Sequence, residues 1–141
     1  MTDMVQMEIY EGFEKWLDLL LEQNDMPEDT RAFNFNIYED HSDETGETLF
    51  TLQLIASDRF DPDDESGEWA CYEVWSSEED LFALDFSDEE NVDEKRVVTV
   101  YTELCSEYLE SGKYKNILLG AEGIGIGFVD GELNILYKPE N

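Results

Sequence analysis

Positive charge is scarce in this chain: 8 lysines and arginines stand against 37 aspartates and glutamates, a formal net charge of -29. A surface so acidic repels phosphate backbones and anionic lipid headgroups, so neither nucleic acid nor a membrane is expected as a direct partner. Cysteine is scarcer still, with two residues. Cys71 and Cys105 are too few for a disulfide scaffold, which points to a reduced, intracellular setting with both thiols acting as small buried hydrophobes. Histidine occurs once, at His41 in the connection between the first two expected strands, and no CxxC is present, so a zinc site or a Cys/His nucleophile has no support. Long apolar runs are missing too; none approaches the roughly 20 residues that span a bilayer. The opening Met1-Thr-Asp-Met-Val5 lacks the basic and apolar regions of a cleaved signal, so the expected location is the cytoplasm.

What remains is ample for a core, since 41% of the residues are apolar and 13% aromatic. That sets the chain apart from disordered acidic tails, and 141 residues suit a single domain. The organising stretch is Ile117 to Tyr137. Asp130-Gly131 lies between two alternating apolar runs, the pattern of a tight hairpin whose turn needs positive φ. In Gly123-Ile-Gly-Ile-Gly-Phe-Val129, one face carries Ile124, Ile126 and Phe128 and the other only glycines. A bare face predicts a close neighbour over the backbone, a helix or another strand, so the hairpin is expected inside a sheet and not at its rim.

The rest of the chain takes its place in order. Ile9, Phe13, Trp16, Leu17, Leu20 and Leu21 fall at helical spacing over 4–23, ahead of the breaker run that holds Pro27. Strands are expected at 32–38, 48–56, 69–75 and 81–86. A long helix over 92–110 follows, with Ser87 or Asn91 suited to cap its start and Gly112 its end, and then a short helix over 114–119. The order α-β-β-β-β-α-α-β-β shows no strand-helix-strand alternation. It predicts one α+β domain over 1–141, a mostly antiparallel sheet of about six strands with helices on one face.

The acids are unevenly spread. Residues 39–94 carry 21 acids and one base, whereas 95–141 carry seven acids and five bases. If the strands pair sequentially as a meander, the connections at 39–47 and 76–80 share one end of the sheet. Carboxylates beside exposed aromatics suit the arginine and lysine side chains of a basic protein partner. The candidate partner-binding set is Asp58, Asp61, Asp63, Asp64, Glu65, Trp69, Tyr72, Trp75, Glu78, Glu79 and Asp80. Against it stands the plainer reading that the rings are core and the charges a solvated face.

From Asp61, an EF-hand loop needs glycine at its sixth position and glutamate at its twelfth; Ser66 and Tyr72 stand there, which leaves room only for a weak, unspecific Ca²⁺ site. Gly120 to Gly127 lacks the GK[ST] ending of a phosphate loop, and its glycines alternate as in a strand. No catalytic constellation stands out, so no cofactor, no metal and no enzymatic activity are expected.

In size, charge and layout the chain resembles the small, acidic cytoplasmic immunity proteins of bacterial toxin–immunity loci, single α+β domains that bind and block a basic toxin domain. The resemblance rests on the helix Phe13-Glu-Lys-Trp-Leu-Asp-Leu-Leu-Leu21, the acidic strand region through Trp75, and the ending Gly123 to Tyr137. It implies a non-enzymatic inhibitor of a toxin and, being a likeness of layout, transfers no functional residue by position. Two alternatives stay open: a mimic of the nucleic-acid backbone that inhibits a DNA-binding protein, and an interaction domain, monomeric or homodimeric, of another role.

Overall fold

The computed structural model describes residues 4–41, 48–61, 63, 68–77, 81–85, 93–128 and 133–138. They form one six-stranded, mostly antiparallel sheet with helices, an α+β arrangement in the expected element order. Helix α1 (Met4–Gln23) and helix α2 (Glu94–Ser111) pack on the sheet face that carries Phe33, Phe35 and Ile37 of strand β1 (Ala32–His41). Strand β2 (Thr48–Ser57) adds Phe50, Leu52, Leu54 and Ala56 to this face, and strand β5 (Gly123–Phe128) adds Ile124 and Ile126. Period two in the strands and the helical stripe of α1 thus meet in one core. Truncating one of its fully buried leucines, Leu17 or Leu52, would cost about 2–5 kcal/mol.

Aromatic rings lock the helices onto the sheet. Phe82 of strand β4 (Phe82–Asp85) lies edge-on to Phe13 of α1 and to Tyr101 of α2, at centroid distances of 5.5 and 6.3 Å. The Tyr101 hydroxyl donates to the Phe50 carbonyl at 2.6 Å, and the Tyr108 hydroxyl donates to Asp18 at 2.6 Å, tying α2 to β2 and to α1. Burial is the main reason why both phenols, and the Cys105 thiol between them, are pushed up from their ordinary pKa values.

The helix ends depart from the expected caps. Asp93, not Ser87 or Asn91, caps α2; its carboxylate accepts from the Arg96 amide at 2.9 Å, next to the first-turn Glu94. Gly112 closes α2 with φ of -67°, so no left-handed turn demands it. The demand is steric: a Cβ there would sit 2.6 Å from the Tyr108 ring. Helix α3 (Lys115–Leu119) then leads to β5.

The strand order is β3-β2-β1-β5-β6, where β3 spans Glu73–Ser76 and β6 spans Asn134–Tyr137. β5 lies inside the sheet, parallel to β1, while its hairpin partner β6 occupies the end of the order, so half of the hairpin is at the rim after all. Its Asp130-Gly131 turn lies outside the described residues. His41 is the last residue of β1, opposite Thr48, and not a loop residue.

The meander expectation fails at β3 and β4. Both pair with β2, β3 beside Ile55–Ser57 and β4 beside Leu49–Leu52, so they lie end to end along one edge. Ser77 fastens the junction: its amide donates to the Leu54 carbonyl at 2.8 Å, and its hydroxyl accepts from the Leu54 amide at 3.2 Å. The strand ends that flank 77–81 lie against the middle of β2, at Ile55 and Leu52, whereas His41 and Thr48 pair at the far end of the β1–β2 ladder, so the premise of a shared end for 39–47 and 76–80 fails; most of both connections lies outside the described residues.

Candidate functional site

The segment between β2 and β3 covers the sheet face that the helices leave free, and it starts from a single buried hydroxyl. Ser57 is fully buried; its hydroxyl donates to the Trp69 carbonyl at 2.6 Å and accepts from the Arg59 amide at 3.2 Å. The Asp58 amide donates to the Tyr72 carbonyl at 3.2 Å, closing the base of the excursion. Residues 68–71 form a short 3₁₀ turn, not the strand expected over 69–75, and the strand proper begins only at Glu73. The turn drops Trp69 inward against Phe60, ring centroids 5.0 Å apart and nearly perpendicular.

This aromatic pair is the close neighbour that the glycine face called for. A Cβ on Gly123 would collide with the Phe60 ring, and one on Gly125 would lie 2.7 Å from the Asn34 carboxamide oxygen and 3.2 Å from Trp69. Among the described residues the neighbours are the Phe60 ring, the short 3₁₀ turn that carries Trp69, and Leu133 at 3.1 Å from the Gly125 position, and not an α-helix or a strand laid across the face. Asn34 is buried in consequence, so β1 is covered on both faces there. Its amide nitrogen donates to Asn36 at 2.6 Å, and further along the Tyr38 hydroxyl donates to Gln53 at 3.0 Å. Burial first, and the charge of Glu73 second, raise the Tyr38 pKa.

The expected partner-binding residues divide under this geometry. Trp69, 2% exposed, has no ring to offer a partner; it is part of the fold. Trp75 is half-buried opposite Ala56 and packs on the helix-side core. Tyr72, at 38%, is the ring that stays exposed. Asp61 and Asp63 are exposed and bound to each other, the Asp61 carboxylate accepting from the Asp63 amide at 3.0 Å. Asp58 is half-buried at the base. Asp64, Glu65, Glu78, Glu79 and Asp80 lie outside the described residues.

Arg59 is the residue that sequence reasoning passed over. Its guanidinium carbon lies 3.9 Å from the Tyr72 ring centroid, and its Nε lies 3.8 Å from the Asp58 carboxylate. The signal was there: Arg59 is the one base among the 22 charged residues of 39–94, which makes it the natural counter-ion of that region. An exposed cation–π contact contributes about 0.5–1 kcal/mol. A solvent-exposed ion pair contributes about 0–1 kcal/mol, and these two side chains are 61% and 39% exposed. The contact is strong enough to be populated and weak enough to be exchanged.

No known protein family, curated protein or solved structure matches this chain.

Glu68 and Glu73, which belong to the same segment as Tyr72, are exposed as well. Cys71 is exposed on the 3₁₀ turn, in contrast to the expectation of two buried thiols; only Cys105 is buried. Among the described residues no group of three or more His, Cys, Asp or Glu is placed to hold a metal ion, and no helix is long and apolar enough to cross a membrane.

Proposed function

We propose that this protein is a non-enzymatic acidic binding protein that neutralises a basic protein partner, and that the partner is a toxin domain to which this chain is the immunity protein. The partner would meet the exposed acids Asp61, Asp63, Glu68 and Glu73 of this segment together with Tyr72. The observation that carries the reading is the Arg59 guanidinium over the Tyr72 ring beside the Asp58 carboxylate, because the chain itself displays the side-chain chemistry that this surface accepts. The net charge of -20 over residues 39–94 would steer a cationic domain toward it, at rates that fall steeply with salt.

The test is co-expression with the basic C-terminal domain encoded by a neighbouring gene, followed by co-purification at low and at high salt. Rescue of growth together with a complex that weakens as salt rises is the expected result. The triple variant Asp61→Lys, Asp63→Lys, Glu68→Lys should weaken the complex at least tenfold while remaining folded, since these side chains are exposed. Absence of both rescue and a complex at low salt would overturn the reading.

A further inference from the structure

Two features set Tyr72 apart from a generic charged surface. It is the exposed ring of the segment, held at a fixed height by its own amide, which donates to the Trp69 carbonyl at 3.2 Å, and by its carbonyl, which accepts from the Asp58 amide. A planar cation already lies over its face. A guanidinium gains from such a ring by stacking as well as by charge, whereas the compact, strongly hydrated ammonium of lysine gains less. Carboxylate to one side and ring below also suit the fork of donors that arginine carries and lysine does not.

We infer that Tyr72, with the Asp58 carboxylate beside it, is an arginine-binding site, which the chain's own Arg59 fills in the unbound protein and which an arginine of the partner enters by displacing it. The inference rests on the proposed binding of a basic protein and names the side chain recognised there. Arg59 is a neighbour of Asp58 in sequence and stands at a high effective concentration over the ring, so any incoming arginine competes with it. Its own side chain is 61% exposed, and its ion pair with Asp58, at 3.8 Å, is not a hydrogen bond, so little holds it over the ring. The site thus has a built-in competitor: removing Arg59 should strengthen binding of arginine at this position instead of weakening it.

The measurement uses the full chain and two fluorescent peptides, octa-arginine and octa-lysine, with affinities taken by anisotropy at low salt. Deleting Arg59 removes a positive charge, which favours both peptides alike, so the ratio of the two affinities isolates the effect of the ring. Arg59→Ala should raise the arginine-to-lysine ratio about 2- to 5-fold over wild type. Adding Tyr72→Leu to Arg59→Ala should return the ratio to the wild-type value; both positions are exposed, and unchanged circular dichroism would show that the fold is intact. Equal gains for the two peptides, or a raised ratio that persists without Tyr72, would overturn the arginine site and leave the proposed function standing. Failure of every variant to bind either peptide would overturn both.

Discussion

Removing one hydroxyl should loosen the base of the acidic segment. In Ser57→Ala the Trp69 carbonyl and the Arg59 amide lose a partner at a site with no exposure, a cost of about 1–3 kcal/mol that a shifted urea midpoint would record; an unchanged midpoint would contradict the role given to Ser57. Gly123 offers a second test at this scale. Gly123→Ala drives a methyl group into the Phe60 ring and should cost about 1–3 kcal/mol, yet in a Phe60→Ala background the same change should cost much less. Additive costs would mean that the two residues do not touch. The glycine pattern foretold a close neighbour, but the helix or strand expected there is a lone ring and a 3₁₀ turn, because a missing side chain records where space is needed and not what fills it.

Between elements, the hydrogen bond from Tyr108 to Asp18 is the clearest single tie of α2 to α1. Tyr108→Phe keeps the ring against Phe13 and removes the hydroxyl, so a loss of about 1 kcal/mol is expected in thermal or urea unfolding. The existence and order of the helices and strands were legible because long amphipathic patterns such as 4–23 depend on periodicity alone. Segment 69–75 was not. Trp69, Tyr72, Val74 and Trp75 have the composition of a strand, but the 3₁₀ turn wins because it buries Trp69 against Phe60 and satisfies the Ser57 hydroxyl, and no local pattern encodes those tertiary partners. The pairing of β3 and β4 with the same edge was hidden for the same reason: sequence spacing shows a strand and its turn, and Ser77 acts only when Leu54 is opposite.

For the molecule as a whole, the charge sets the response to solution conditions. With a net charge of -29, self-repulsion opposes the folded state, so added salt should raise the melting temperature; a melting temperature independent of salt would contradict this. The alkaline response has its own sign. Tyr101, Tyr108 and Cys105 have folded pKa values raised above their ordinary 10.0, 10.0 and 9.0, mainly by burial. Their contribution to stability is therefore complete below about pH 9 and is lost as pH climbs from there toward the raised folded values. Melting temperature should fall between about pH 9 and pH 11, and a flat profile would contradict the burial of these groups.

The candidate surface was legible as a region and only partly as residues. Composition located the acids and the rings near one another in sequence, but it could not show that Trp69 turns inward while Tyr72 stays out, since only the tertiary partners of Trp69 separate two aromatic residues three positions apart. The most direct test of the account is a titration of the ¹⁵N-labelled protein with an arginine-rich peptide at low salt, followed by amide chemical shifts. Shifts concentrated at Asp58 to Asp63 and Glu68 to Glu73 are predicted, with Arg59 and Tyr72 among the largest. Shifts spread evenly over the surface, or centred on the outer sides of α1 and α2, would contradict it.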